Sequence, residues 1–275
     1  MSTSSSLLLP ASDGVLIVIP ARFGATRFPG KLLAPLAGEP LVWHVYRRAA
    51  AAALGTVVVG TDDERILDAV RSRGGKAEMT GTHHASGTDR VAEVVRHHPE
   101  AQVIVNLQGD EPMVTGEMLA RLIAPFAAPD PPDLTTLAYP TSSRHDFLRP
   151  HTVKVVGDGR GNALYFSRAP IPWPGHLEFA EMAAAPHERP VDRFLKHQGI
   201  YSYSRRALFK LAALPPCPLE LLERLEQLRA LHAGMQIRVV ESTTDTIGID
   251  TPQDLQRVAV TFAAEGQASA RPEPA

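Results

Sequence analysis

The chain has 275 residues, 44% of them hydrophobic, and a formal net charge of -2. That balance excludes the basic field that nucleic-acid binding requires, while the length allows one large domain or two small ones. Its single cysteine, Cys217, excludes an internal disulfide, and no Cys/His cluster has zinc-site spacing.

Met1 to Pro10 is Ser-rich and carries a three-Leu run. It lacks a basic segment and a long apolar stretch, so it reads as a loose tail and not as a signal peptide. Residues 265–275 are rich in Ala, Pro, Glu and Gln and read as a second tail. The expectation is a cytoplasmic, soluble protein with disordered tails over 1–13 and 265–275 and no membrane or nucleic-acid partner.

Between the tails, strands and helices alternate. Val15 to Ile19 is a continuous apolar run and reads as a buried strand, far too short to span a membrane. Leu41 to Leu54 has helical spacing. Thr56 to Val59 is the next strand, followed by a helix over 63–73 with Thr61 or Asp62 as candidate N-cap. Lys76 to Met79 reads as a strand, Thr80 to Gly87 as a loop, and Thr88 to His98 as a helix. Val103 to Leu107 is a third apolar strand, ended by Gln108-Gly109-Asp110-Glu111-Pro112, and a helix follows over 117–127.

The second half changes character. Leu134 to Tyr139 and Val153 to Val156 read as strands, with a turn at 158–161. Ala169 to Pro174 holds three prolines and excludes a central strand or a helix. Leu177 to Arg189 lacks a pattern and reads as a flexible loop. Gln198 to Ser204 alternates like a strand, Leu219 to Ala233 reads as one amphipathic helix, and Met235 to Val240 as a strand. A last helix runs from Pro252 to about Ala264, capped by Thr251.

This βαβ alternation specifies an α/β fold with a mostly parallel, Rossmann-like mixed sheet flanked by helices. We expect one domain over 14–264, with a smaller subdomain over about 130–215. In such sheets, ligands bind at the C-terminal ends of the strands.

The loop after the first strand carries Arg22, Arg27 and Lys31 interleaved with Gly24 and Gly30. Glycines let a backbone approach a ligand, and several cations suit a polyphosphate. The loop spells neither the P-loop nor the dinucleotide fingerprint, so surface charges beside turns explain it equally well in isolation. Asp110 and Asp250 each sit in a turn, where a carboxylate ligates Mg²⁺ or caps backbone amides. With the cationic loop they form a set: two carboxylates for Mg²⁺, and Arg and Lys for the remaining phosphate charge.

Eight segments carry a resemblance. These are Ile19-Pro20-Ala21-Arg22 with Thr26 to Lys31, His84 to Arg90, Asn106 to Pro112, Ala163 to Pro172, His197 to Tyr201, and Leu225 to Arg229 with Ile249 to Leu255. Together, in order over residues 15–262, they resemble the sugar-activating cytidylyltransferases, and among these the enzymes that activate 3-deoxy-manno-octulosonate (Kdo). The resemblance implies a nucleotidyltransferase domain, the substrates CTP and Kdo, release of pyrophosphate, Mg²⁺ as cofactor, a homodimer, and a product used in lipopolysaccharide synthesis. It implies a triphosphate loop of Arg22, Arg27 and Lys31 and nucleotide contacts from Pro20, Ala21, Ser86, Gly87 and Gln108. It further implies metal ligation by Asp110 and Asp250, and sugar contacts from Arg168, His197, Tyr201, Glu226 and Gln227. Arg22, Lys31, Asp110 and Asp250 are the candidate catalytic set; no side-chain base is assigned.

Two rival readings stay open on sequence. A cytidylyltransferase for sialic acid or for a modified Kdo shares the triphosphate loop, and the rival from another class is a nucleotide-binding module without catalysis. His197 also reads as a packed histidine, Tyr201 as a packing residue, Arg168 as half of a structural ion pair, and Glu226 and Gln227 as a solvated helix face.

Overall fold

The computed structural model describes residues 7–24, 28–175 and 192–269. In chain order the strands and helices of the first part are β1 (Val15–Ala21), β2 (Pro35–Leu36), β3 (Glu39–Pro40), α1 (Leu41–Ala51), β4 (Thr56–Thr61), α2 (Glu64–Arg71), β5 (Ala77–Met79), α3 (Gly87–Arg96), β6 (Val103–Asn106) and α4 (Gly116–Ile123). They continue as β7 (Leu134–Thr141), α5 (Arg144–Leu148), β8 (Lys154–Gly157), β9 (Ala163–Ser167), β10 (Phe194–Ser204), α6 (Arg205–Ala213), α7 (Pro218–Glu223), α8 (Gln227–His232), β11 (Ile237–Glu241) and α9 (Pro252–Ser269). The chain divides into two compact units, one formed by residues 11–119 and 246–275 and the other by 1–10 and 120–245.

The first unit is built on four parallel strands in the order β6-β1-β4-β5. Val15 to Ile19 of β1 are all at most 2% exposed, which explains the unbroken apolar run: a strand with neighbours on both edges and cover on both faces has no polar side. Val57, Val58 and Val59 of β4 and Ile104 and Val105 of β6 complete this layer. Helix α3 adds Val91, Val94 and Val95, at helical spacing. Each such side chain contributes roughly 1.5–3 kcal/mol by leaving water.

The chain reaches β4 on one side of β1, then β5, and returns to β6 on the other side. Strand order therefore reverses at β1, and the loops after β1 and β6 open a crevice at their C-terminal ends, the usual ligand position in open α/β sheets.

The second unit holds a mixed sheet. β11 pairs parallel with β7, while β7–β10, β10–β8 and β8–β9 are antiparallel. Its core includes Leu134, Leu137, Phe147, Val155, Phe166, Phe194, Ile200 and Tyr203.

Four elements differ from the sequence expectation. Asp63, not Thr61 or Asp62, caps α2, its carboxylate accepting from the Arg65 amide at 3.0 Å. β10 begins at Phe194, four residues before Gln198, because Leu195 and Lys196 pair with β8 and extend the strand beyond its alternating part. The long helix over 219–233 is instead α7 and α8, divided where Arg224 takes the left-handed conformation at φ 54°. Helical periodicity spans that break because both halves keep apolar residues. Helix α9 continues to Ser269, past the expected end and through Gly266, a poor helix former. The sequence reading of 177–189 as a flexible loop lies outside the described residues.

Candidate active site

Lys31 sits where the first unit concentrates opposite charge. Its Nζ lies 2.5 Å from Asp110 Oδ2, 3.3 Å from Asp250 Oδ1 and 3.0 Å from the Ile249 carbonyl. Three separate segments supply these groups, and local geometry accounts for each. Gly30 donates its amide to the Phe23 carbonyl at 3.1 Å and adopts φ 69°, closing the base of the cationic loop and turning the chain into a 3-10 turn over Lys31–Leu33. A Cβ there would stand 3.1 Å from the Phe23 ring, so both the left-handed φ and the ring demand glycine. Arg65 stacks over that same ring, 3.5 Å from its centroid, and adds a cation–π contact beneath the loop.

Asp110 follows β6. Its carbonyl accepts the Ile249 amide at 2.9 Å, which brings Asp250 alongside. Capping of α9 falls to other residues: Asp254 accepts from the Thr251 amide at 3.0 Å, and Thr251 Oγ1 accepts from the Asp254 amide at 3.2 Å. Asp250 is thus not the helix cap, and its carboxylate lies half exposed beside the ammonium.

Glu111 lies next to this pair. Burial, the Asp110 and Asp250 charges together push its carboxyl up to about 8, against a bond from Thr246 and the Lys31 charge. It is protonated at neutral pH, so the cluster carries the two charges of Asp110 and Asp250 and not three.

These residues border a cavity of about 390 Å³. Pro20, Ala21 and Arg22 form the wall from β1, and Gln108, Gly109 and Asp110 the wall from β6. Ser86 and Gly87 line it from the start of α3. Ser86 caps that helix in a box with Asp89, so the positive end of the helix dipole points toward the cavity mouth, a setting suited to phosphate. Gln108 donates to Asn106 Oδ1 at 2.9 Å, which fixes its amide. Every nucleotide-side candidate from the sequence except Arg27, which lies outside the described residues, borders this one cavity.

Residues without a role in the sequence reading line it as well. Arg90, 4% exposed, pairs with Asp62 at 2.7 Å and bonds Thr80. His84 bonds Glu93. Phe28 and Leu32 supply apolar surface. The run His84 to Arg90 was visible in the sequence, but a buried Arg–Asp pair between β4 and α3 needs the fold to be seen.

The sugar-side candidates all fall in the second unit, where His197 and Tyr201 are in contact. The pairing of β10 with β7 shifts between Gln198 and Tyr201. In a regular strand, residues four apart stand about 13 Å from each other; the bulge gathers the His197 and Tyr201 rings to 5.5 Å between centroids. Thr136 fills the irregularity. Its hydroxyl reaches the Ile200 carbonyl at 3.0 Å and the Gln198 carbonyl at 3.3 Å, and lies 2.9 Å from His197 Nε2. A hydroxyl both donates and accepts, so Thr136 ties the imidazole to the carbonyls of the irregular segment. Burial pushes this imidazole down to about 3, so the ring is neutral.

Tyr201 is raised well above its ordinary value by burial, with smaller contributions from Tyr203 and Glu226. Glu226 and Gln227 open α8, directly after the Arg224 break. Gln227 Nε2 is buried without a hydrogen-bond partner. The helix break is what places these adjacent residues: Glu226 lies at the helix entrance and Gln227 is turned inward at 6% exposure.

Arg168 is held through its guanidinium by backbone carbonyls of Glu223 at 2.7 Å, Pro150 at 3.1 Å and Arg224 at 3.5 Å. Below it, Lys154 is fully buried and donates to the carbonyls of Arg149, Thr152 and Arg168. Burial lowers this ammonium to about 8. Cys217 is buried and its sulfur caps α7 from the Glu220 amide at 3.5 Å, a structural role.

The donor set at Lys31 suits Mg²⁺. Two carboxylates from different segments converge on one cation, and Mg²⁺ takes one or two carboxylates together with water and substrate phosphates. Among the described residues no group of three or more His, Cys, Asp or Glu is placed to hold a metal ion.

Comparison with known proteins shows the family. Residues 16–237 match the cytidylyltransferase family. The chain is 49% identical over 252 residues to the 3-deoxy-manno-octulosonate cytidylyltransferase of Geobacter sulfurreducens, covering 89% of this chain and 97% of that protein. It is 47% identical over 244 residues to the protein of the same name from Syntrophobacter fumaroxidans, covering 88% and 94%. Among solved structures it resembles a CMP:2-keto-3-deoxy-manno-octonic acid synthetase complexed with CTP, with a TM-score of 0.82, 42% identity and coverage of 92% of this chain and 100% of the other. A cytidylyltransferase from Leptospira borgpetersenii shares the fold at 16% identity and a TM-score of 0.61.

Proposed function

The chain belongs to the cytidylyltransferases, among the 3-deoxy-manno-octulosonate enzymes, and on that premise we propose that it transfers the cytidylyl group of CTP to Kdo. The anomeric hydroxyl of the sugar attacks the α-phosphorus. The bond from that phosphorus to the bridging oxygen breaks, CMP-Kdo forms, pyrophosphate leaves, and the hydroxyl proton passes to solvent.

The observation that carries this reading is the convergence of Lys31, Asp110 and Asp250 on the wall of one cavity with Arg22 and the α3 N-terminus. Such a site stabilises a transferring phosphoryl group through position and charge. Lys31 and Arg22 offset charge on the departing pyrophosphate. Asp110 and Asp250 would hold Mg²⁺, which supplies Lewis acidity and neutralises phosphate oxygens when bound. Gln108 offers an amide whose orientation is set by Asn106 for contact with the base. In the second unit, His197 and Tyr201 hydrogen-bond sugar hydroxyls, and Gln227 Nε2 finds a partner in the sugar acid. Arg168 supplies positive charge for its carboxylate.

A neutral imidazole near pKa 3 is a poor base at neutral pH, so His197 orients the sugar and does not abstract its proton. Pyrophosphate release from CTP and Kdo with magnesium tests the whole reading. Release with sialic acid but not with Kdo would favour the sialic-acid reading. CTP binding without release would favour a binding module, against which stands the assembled Lys31–Asp110–Asp250 cluster.

We place the enzyme in the cytoplasm, where CTP is available, and assign its product to lipopolysaccharide synthesis. No helix among the described residues is long and apolar enough to cross a membrane. A homodimer is supported by exposed apolar side chains in the second unit: Leu164 on β9, Leu221 and Leu222 on α7, and Trp173. Light scattering on Leu222→Asp against the unchanged protein tests it; equal masses would remove α7 from the interface.

A further inference from the structure

Residues 80–86 run from β5 to the start of α3 and carry His84, Ala85 and Ser86 into the cavity wall. Two side chains of α3, three residues apart and so on one helix face, reach back to hold this segment. Arg90 bonds Thr80 at its beginning. Glu93 takes the middle: its carboxylate accepts the Gly81 amide at 3.1 Å and bonds His84 Nε2. The Ser86–Asp89 capping box closes the end. A Cβ on Gly81 would meet the exposed His83 ring at 2.4 Å, so a larger residue there requires that ring to turn away.

The His84–Glu93 bond also settles the state of the ring. Burial pushes the Glu93 carboxyl up, but the His84 and Gly81 bonds outweigh it and hold the group below the usual carboxylate range. An ionised carboxylate only accepts, so His84 Nε2 carries a proton and its Nδ1 is the ring's remaining polar atom. Glu93 itself does not border the cavity; His84 does.

We propose that Glu93 is a positioning residue of the nucleotide site: by pinning the Gly81 amide and orienting the His84 ring, it sets the wall against which the nucleoside triphosphate lies. The proposal rests on the reading of this cavity as the CTP site. It separates two functions on one helix. Ser86 and Gly87 at its tip face the ligand, and Glu93, two turns along, holds the segment that precedes them.

The test uses the full chain. Glu93→Ala weakens CTP binding by calorimetry about tenfold, the loss expected for one charge-assisted hydrogen bond, while KM for Kdo stays within twofold, a factor we set as the threshold. Glu93→Gln keeps the shape, loses the charge and falls between; it serves alone if the alanine variant does not fold. His84→Ala also weakens CTP binding, and the double variant loses less than the product of the two single effects, because the changes share the His84–Glu93 bond. Backbone hydrogen exchange over 80–86 rises in Glu93→Ala. Single effects that multiply in the double variant, wild-type CTP binding in His84→Ala, or a joint loss for CTP and Kdo would overturn the proposal. Failure of the unchanged protein to bind CTP would overturn the nucleotide reading instead, and unchanged exchange over 80–86 would still overturn the hold assigned to Glu93.

Discussion

Lys31 Nζ lies 2.5 Å from Asp110 Oδ2, and the two residues are 79 positions apart in sequence. One comes from the loop after β1 and the other from the turn after β6, neighbouring strands at the point where sheet order reverses. The parallel register of Val18 with Asn106 brings both loops to the same strand ends. The pair therefore exists because of topology, and the same ammonium screens Asp110 from Asp250.

Removing that ammonium separates its two effects. Lys31→Met leaves two carboxylates facing each other without a cation, so the free protein binds Mg²⁺ more tightly than before. Turnover falls by a factor on the order of 10² to 10³, as for loss of a charge-stabilising donor. Calorimetry with MgCl₂ and a pyrophosphate-release assay check both parts. Weaker Mg²⁺ binding in the variant would mean that the carboxylates do not converge on a metal.

Asp110→Asn is expected to abolish turnover more severely than His197→Ala. The first change removes charge from the phosphoryl side, while the second removes one hydrogen-bonding group on the sugar side. His197→Ala accordingly raises KM for Kdo and lowers kcat modestly. If kinetics gave the reverse order with metal binding intact, His197 would have to act as the base.

The His197 imidazole titrates near 6.5 when unfolded and near 3 when folded. Between these values the unfolded chain binds the extra proton. The contribution to stability is complete above about 6.5 and is lost as pH falls toward 3. His197→Gln has no titrating group there. Chemical denaturation of both proteins from pH 7.5 to 4 should show the wild type losing stability faster on the acid side. Parallel curves would mean that the ring is protonated in the native state.

The parallel strands of the first unit were legible because buried strands are apolar throughout, as Val15 to Ile19 and Val103 to Val105 are. The cationic loop and the Asp110 turn were legible because each stands at the end of such a run, and Asp250 because it stands just before the last helix. The break at Arg224 was not. Periodicity reports which residues are apolar and is blind to one left-handed residue between two helices. Leu221 and Leu222 accordingly read as a core stripe, whereas they are 67% and 80% exposed. The bulge that gathers His197 and Tyr201 leaves no mark in a single strand's pattern, since it is a property of pairing with β7. Glu93 and Lys154 escaped for a related reason: their partners are backbone groups and a histidine brought close only by the fold.

Gly30 links backbone conformation to the charge cluster. An added methyl at φ 69° costs about 1–2 kcal/mol for a left-handed L-residue and presses on the Phe23 ring. Gly30→Ala should therefore lower the melting temperature by a few degrees, on the order expected for that energy in a chain of this size. It should also lower kcat, because Lys31 is the next residue and its approach to Asp110 depends on this turn. Gly30→Asn tolerates the left-handed region better but brings the same Cβ contact, so it should recover most of the stability and less of the activity. Phe23→Leu added to Gly30→Ala relieves the ring contact and should restore turnover in part. Loss of stability with unchanged kcat would show that the position of Lys31 is set by Asp110 and Asp250 and not by the loop that carries it.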